Sequence, residues 1–290
     1  MGEKSKMKSL AALIFSLATG LFALSLAAQS VTYQCPMDPD VRSNKEGFCS
    51  RCGMKLRAGV PEPVEFPVDL KISPKAIQVA AKTELEFTVR DPQNDRQIQH
   101  FEIVHEKLFH LFVISSDLQF FVHDHPVFGD DARFRYDIAF PKPGMYRLLG
   151  DFYPEGATPQ LIAKTVMVPG GQQPTPVLQR DYATKQTENM RVSLTTVPPQ
   201  PIAGTKTMMF FKLEPADGIE KYIGAWGHML TASDDLIDMI HTHPFIADGG
   251  PEMQFNVYFP RERVYRIWVQ FQRKGVVNTA RFDVPVEDLK

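Results

Sequence analysis

Residues 110–126 read HLFVISSDLQFFVHDHP, and residues 228–244 read HMLTASDDLIDMIHTHP. Seven of the seventeen positions are identical, and three of these seven are histidines. The three recur with an offset of 118 residues, as two trios: His110, His123 and His125, then His228, His241 and His243. Imidazole is the commonest protein ligand for borderline metals, so a repeated trio of histidines indicates metal binding.

The repeat extends beyond the histidines. Phe140-Pro141 and Tyr146-Arg147 are matched by Phe259-Pro260 and Tyr265-Arg266 at an offset of 119, which places the insertions in loops. Both copies contain short β-branched or aromatic runs, such as LFVIS and YDIAF in the first and FNVYF and YRIWVQF in the second. Helical periodicity is scarce. The sequence therefore predicts a mostly β chain with two tandem antiparallel β-sandwich repeats, immunoglobulin-like or cupredoxin-like in outline.

Two punctuated stretches mark boundaries. Pro61, Pro63 and Pro67 follow a short cysteine-rich unit, and PGGQQPTP at 169–176 separates the two copies. We predict a small metal-binding finger over residues 31–60, a first β-sandwich over 66–169 and a second over 183–288.

The N-terminus is typical of a signal peptide. Three lysines, Lys4, Lys6 and Lys8, precede the uncharged run LAALIFSLATGLFALSLAA at 10–28. We predict a cleaved signal over residues 1–28 and a periplasmic or secreted protein, with an uncleaved membrane anchor as the alternative. The net charge of −2 and the lack of a basic stripe do not favour a nucleic-acid partner.

The histidine stretches predict a β-hairpin in each copy. A turn on Ser116-Asp117 would pair Ser115 with Leu118 and place His110 directly opposite His123. Because side chains alternate along a strand, His123 and His125 share a face, and His110 would join them from the neighbouring strand. A four-residue loop preserves this parity, whereas an odd bulged loop would break it. Three imidazoles placed in this way can grip one ion and leave a coordination position open.

The plainer interpretation is that duplication simply maintained structural or surface histidines. Their retention while ten other positions diverged favours ligation. His100 and His105 have no counterpart in the second copy, where Ile223 lies 118 residues after His105. On a regular strand His105 would point to the opposite face from His110, so both histidines are left out of the predicted ligand set.

The cysteine-rich unit has a second metal-binding pattern. Thirteen residues separate Cys35 from the pair Cys49-x-x-Cys52, as in zinc ribbons, and the unit has too few apolar residues for a core of its own. A disulfide between Cys49 and Cys52 is the alternative in an exported protein.

The motif C-P-M-x-P followed by G-x-C-x-x-C-G-M-x-L, over about residues 33–57, resembles the heavy-metal-binding domain of bacterial cation-efflux adaptors and copper-transporting ATPases. The resemblance implies Cys35, Cys49 and Cys52 as ligands. That family usually has histidine after Cys-Pro-Met, and here Asp38 takes the place of the fourth ligand, which suits zinc better than a soft monovalent ion. The whole chain is similar to exported bacterial proteins in which such a finger precedes a β-rich region with H-x-H-P.

Three classes of function follow. A carrier would bind copper or zinc and buffer it or pass it to a component of an efflux system. An enzyme would use an open three-histidine site, although the glutamate that cupins place soon after H-x-H is lacking here, as are a G-x-S-x-G elbow and an H-E-x-x-H motif. A structural β-sandwich module would bind no metal. We expect the carrier and assign no catalytic residue.

Overall fold

A computed structural model describes residues 32–36, 41–50, 53–59, 64–246 and 248–289. The predicted signal segment, Asp38 and Cys52 lie outside these residues, and with them the alternative of a Cys49–Cys52 disulfide. Nowhere in the described ranges is there a helix with the length and apolarity needed to cross a membrane.

The finger is a small three-stranded antiparallel sheet with β1 in the centre. Its strands are β1 (Tyr33–Gln34), β2 (Arg42–Ser43) and β3 (Arg57–Ala58). Cys35, Cys49 and Leu56 are buried in one small cluster, and the first repeat completes that cluster with Val104 and Tyr153. Several of the finger's apolar side chains are therefore buried with help from its neighbour.

The first repeat is a sandwich of two four-stranded antiparallel sheets, ordered β4-β5-β9-β8 and β11-β10-β6-β7. The strands are β4 (Val68–Ser73), β5 (Lys82–Val89), β6 (Phe109–Ser115), β7 (Phe121–Asp124), β8 (Val127–Phe128), β9 (Phe134–Ala139), β10 (Gly144–Phe152) and β11 (Gln160–Val168). Phe87 and Phe134 from one sheet meet Leu111 and Leu148 from the other in the core.

The second repeat has the same plan. One sheet is ordered β12-β13-β14-β18; in the other, β19 pairs with β15, β16 and β20, and β17 follows β16. The strands are β12 (Lys185–Gln186), β13 (Arg191–Val197), β14 (Lys206–Glu214), β15 (Ile219–Glu220), β16 (His228–Ser233), β17 (Met239–Thr242), β18 (Glu252–Tyr258), β19 (Arg263–Arg273) and β20 (Val276–Val286). The prediction of two tandem β-sandwich repeats is confirmed.

The two repeats pack face to face through the sheets that carry the histidines. Along β6, Leu111 and Val113 face the core of their own repeat, whereas Phe112 and Ile114 pack against Leu230 and other apolar side chains of the second repeat. Every residue of β6 and of β16 is buried. A strand covered on both sides needs an unbroken apolar run, which explains why LFVIS does not alternate.

Candidate metal centre

Each predicted hairpin forms, but the predicted register is wrong by two residues. His123 pairs with Phe112, and His241 pairs with Leu230. The loop is longer than expected, because the N–H of Ser115 donates the closing hydrogen bond to the carbonyl oxygen of Phe120 and Leu118 adopts a left-handed φ of 57°. A shift of two residues leaves the parity unchanged. The histidines of each hairpin therefore still share one face.

The first trio converges on His110. Its Nδ1 lies 3.3 Å from Nε2 of His123 and 3.2 Å from Nε2 of His125. The second trio repeats part of this pattern, with Nδ1 of His228 lying 3.0 Å from Nε2 of His243. The hairpins thus bring together the residues that the sequence places in each trio.

The two trios form one cluster, because the histidine-bearing faces of the repeats oppose each other. The ring of His228 lies 5.3 Å from that of His123 and 5.9 Å from that of His110, and the ring of His241 lies 5.6 Å from that of His110. His228 has its ligand atom within 4.8 Å of those of His110 and His123, and also of those of His241 and His243. We call these six residues and His105 the histidine cluster.

Backbone carbonyls fix the ring tautomers at the centre. Nε2 of His110 lies 3.1 Å from the carbonyl oxygen of Val104, and Nε2 of His228 lies 2.8 Å from that of Tyr222. A carbonyl oxygen only accepts, so both Nε2 atoms must carry the proton. In each neutral ring Nδ1 then presents its lone pair to the cluster.

Two further histidines are held across the interface between the repeats. Nδ1 of His241 donates to the carboxylate of Asp151 over 2.7 Å, and Nδ1 of His123 donates to Oε1 of Gln270 over 2.7 Å. Asp151 pairs with His110 along the sheet of the first repeat, and Gln270 pairs with His228 along that of the second. Each repeat therefore orients a histidine of the other, and in a neutral ring held in this way Nε2 carries the lone pair.

Burial keeps five of these rings neutral. It lowers the pKa of His110 to about 4 and that of His125 to about 3, and it holds the pKa of His123, His228 and His243 well below the ordinary value. Neutral imidazole is the form that binds metal. The cluster is thus poised for a cation at neutral pH.

The spacing of these nitrogens fits a metal ion. The tautomers above put two lone pairs, on Nδ1 of His110 and Nε2 of His123, only 3.3 Å apart. Two nitrogens that bind one tetrahedral ion at about 2.0–2.1 Å lie roughly 3.3 Å from each other. Nε2 of His241 is buried and has no hydrogen-bond partner among the described residues. A cation at the first trio would remove the repulsion between the lone pairs, and one at the second trio would satisfy the unpartnered nitrogen.

His105 also lies in the cluster, because the regular strand that was expected to point its ring to the opposite face is not formed. The residue lies in a turn rather than on a regular strand and has a left-handed φ of 47°. Its ring lies 3.8 Å from that of His243, and burial lowers its pKa to about 3. Asp151 and Gln270 were also missed. The sequence does align them, because Asp151 in Tyr146–Phe152 and Gln270 in Tyr265–Phe271 lie at the same position of the repeat. Two polar residues at the same position of these otherwise mostly apolar strands were the signal that could have identified them.

Of the four finger residues with predicted metal-binding roles, Cys35 and Cys49 lie in the described part of the chain, and both are buried. Beside them a cavity of about 530 Å³ opens between the finger and the histidine cluster. Pro36 and Ser50 line it from the finger, and His105, His241 and His243 line it from the cluster.

Two family models match the chain. The model described as Domain of unknown function (DUF8832) matches residues 64–169 and again 185–288, and that of the heavy metal binding domain matches residues 32–58. No curated protein matches.

Three solved structures share a distant likeness with the chain. The Yersinia pseudotuberculosis adhesin InvE is 10% identical over 76% of this chain and 60% of its own, with a TM-score of 0.24. A Salmonella alpha-2-macroglobulin variant is 12% identical over 79% of this chain and 15% of its own, with a TM-score of 0.27. The red sea bream transglutaminase is 8% identical over 76% of this chain and 31% of its own, with a TM-score of 0.24. The chain thus spans 60% or less of the length of these three structures.

Proposed function

The chain belongs to the family described as Domain of unknown function (DUF8832), and from its histidine cluster we propose that it is an exported protein that binds copper or zinc in metal buffering, delivery or resistance. The observation that carries the proposal is the convergence of both trios on one buried centre, with two lone pairs 3.3 Å apart. A structural module would have no reason to bury so many unprotonated rings together.

The donor set narrows the choice of ion. Neutral imidazoles suit Zn²⁺ and Cu²⁺, whereas the thiolates of the finger also suit Cu⁺. The two kinds of site would let one protein hold copper in either oxidation state. Because the finger resembles the heavy-metal-binding domain of cation-efflux adaptors, we propose a component of an efflux system as the recipient of the metal.

We assign the first trio to one ion and the second trio to another. His228 cannot serve both ions, because its Nε2 is committed to the carbonyl of Tyr222 and only Nδ1 remains. Two cations in one buried cluster repel each other, so the ion that binds later, whichever trio it enters, should bind more weakly than it would with the other trio empty. With the finger, the mature chain would hold three ions.

The test is metal uptake by the full mature protein, measured by equilibrium dialysis against Zn²⁺ and Cu²⁺ with the thiols kept reduced. We expect about three ions per chain, and about one after both central histidines are changed, in the variant His110→Gln with His228→Gln. The matched control is His100→Gln, because His100 is exposed and lies outside the cluster. Uptake that is unchanged in the double variant, with its fold verified by circular dichroism, would refute the proposal.

Metal-dependent catalysis is the second candidate, and the cavity of about 530 Å³ against His241 and His243 favours it. An ion held there by three histidines would keep a coordination position open for a substrate. Turnover of model ester and phenol substrates by the metal-loaded protein would separate an enzyme from a carrier.

A further inference from the structure

The short segment around Val104 contacts both the finger and the histidine cluster. It therefore connects two sites that the sequence predicts separately. Val104 is buried in the same cluster as Cys35 and Cys49. The carbonyl of the same residue holds Nε2 of His110. One residue therefore touches the core of the finger and the centre of the histidine cluster.

The finger is also tied to the strand end that carries Asp151. Arg57 of the finger forms an ion pair with Glu102, two residues before Val104. The N–H of Glu102 donates over 2.8 Å to the carbonyl of Tyr153, which is itself part of the finger's core. These contacts hold the finger against the same edge of the first repeat that supplies groups to the cluster.

A cavity lies between the two sites. The cavity of about 530 Å³ is lined on one side by Pro36 and Ser50, which follow Cys35 and Cys49 in the chain, and on the other by three cluster histidines. Nε2 of His105, in the cavity wall, is buried with no hydrogen-bond partner among the described residues. Its ring is in contact with that of His243, 3.8 Å away. Nε2 of His105 is therefore an unpartnered nitrogen that lies between the cysteines of the finger and the second trio.

We propose that the finger captures a metal ion and passes it through this cavity to the histidine cluster within the same molecule, with His105 as the ligand that receives the ion on the way. The proposal rests on the proposed function, since it needs both sites to bind metal. The ion keeps its charge and oxidation state. Each metal–thiolate bond that breaks is replaced by a metal–imidazole bond, and each released thiolate keeps its electron pair and takes up a proton from water.

The second repeat provides the variant that tests this route. Ile223 occupies the position equivalent to His105, 118 residues later, with a nearly identical φ of 48°. An isoleucine therefore fits that backbone, and His105→Ile should fold while removing the intermediate ligand. His100→Ile is the matched control, since it makes the same change at an exposed histidine five residues away.

The experiment mixes the full mature protein rapidly with one equivalent of Co²⁺, as a coloured substitute for Zn²⁺, and follows the sulfur-to-cobalt charge-transfer absorption. In the natural sequence and in His100→Ile this band should rise first and then decay as cobalt moves to the histidines. In His105→Ile the decay should be at least roughly tenfold slower, the effect of losing one group in a metal's ligand environment. The final capacity should stay the same. In the triple variant Cys35→Ser, Cys49→Ser and Cys52→Ser the early band should vanish, and the histidines should load more slowly.

The outcomes separate the two proposals. Decay at the natural rate in His105→Ile, or loading of the histidines at the natural rate without the cysteines, would overturn transfer through the cavity and leave metal binding intact. A histidine cluster that takes up no cobalt even at equilibrium would overturn the proposed function and the transfer with it.

Discussion

At the scale of single residues, Asp151 and Gln270 occupy equivalent positions in the two repeats but differ in charge. Asp151 accepts from His241 and Gln270 accepts from His123, each across the interface. A carboxylate behind a ligating histidine raises the basicity of the ring more than an amide does. The two ions should therefore be held with different strengths, the tighter one in the second trio.

The substitution Asp151→Asn keeps an acceptor for His241 and removes the charge. We expect it to weaken binding at the tighter site by about 10- to 100-fold, as is typical for loss of such a partner. Gln270→Glu is the reciprocal variant and should strengthen the weaker site. Competition of each protein with a chromophoric chelator for Zn²⁺ measures both affinities. Equal affinities in Asp151→Asn and the natural protein would show that this carboxylate does not act on the metal.

Single residues also mark the limit of what the sequence could predict at the site. The histidine trios were visible because three rings survive in both copies while their neighbours differ. His105 was not visible, because its inclusion depends on a left-handed turn that a β-branched isoleucine adopts equally well in the second copy. A positive φ is rare for isoleucine, so comparison with the second copy did not point to such a turn.

At the scale of elements, the hairpins show which features of a strand are local. The shared face of His123 and His125 follows from alternation alone and needs no knowledge of the turn. The register does depend on the turn, and here Leu118 takes a conformation usually reserved for glycine or asparagine. It can do so because its side chain is buried in the apolar interface between the repeats. Packing between the two repeats thus determines the geometry of the four-residue loop 116–119.

Packing the hairpins face to face buries histidines whose folded pKa lies below the unfolded value, and this predicts how stability depends on pH. His110, His105 and His125 have a pKa of about 3 to 4 in the folded protein, against an ordinary value of 6.5. As the pH falls below about 6.5, these histidines become protonated in the unfolded chain but stay neutral in the folded chain, so protonation stabilises the unfolded state. The metal-free protein should therefore lose stability from about pH 6.5 down to about pH 4.

Urea denaturation in the presence of a chelator, repeated across this pH range, measures the effect. His125→Gln should lower the slope of unfolding free energy against pH, because it removes one proton from the difference between the two states. His100→Gln is the control variant, since that side chain is exposed and lies outside the cluster. A slope that does not respond to His125→Gln would contradict the assignment of a buried, neutral ring.

At the scale of the whole molecule, the duplication built a site that one copy could not. The sequence predicted two sandwiches and two trios, but it gave no sign that the trios meet, because that meeting depends on which outer faces of the sheets pack together. The unbroken run LFVIS was the available hint that this sheet is covered on both sides. Phe112 connects this apolar interface to the histidine cluster, since its ring lies 4.3 Å from that of His123 and 4.7 Å from that of His241.

This arrangement predicts that neither repeat alone reproduces the affinity of the intact protein. Separated at the segment between residues 169 and 185, each repeat keeps its own core and its own trio, but His123 loses Gln270 and His241 loses Asp151. We expect each isolated repeat to bind Zn²⁺ at least about tenfold more weakly than the corresponding site in the full chain. Isothermal titration of residues 64–169 and of residues 183–289 would measure this loss. The full-length Asp151→Asn variant shows how much of it comes from the lost carboxylate alone. If an isolated repeat bound zinc as tightly as the whole protein, the interface would be irrelevant to the metal, and each trio would have to be a complete site by itself.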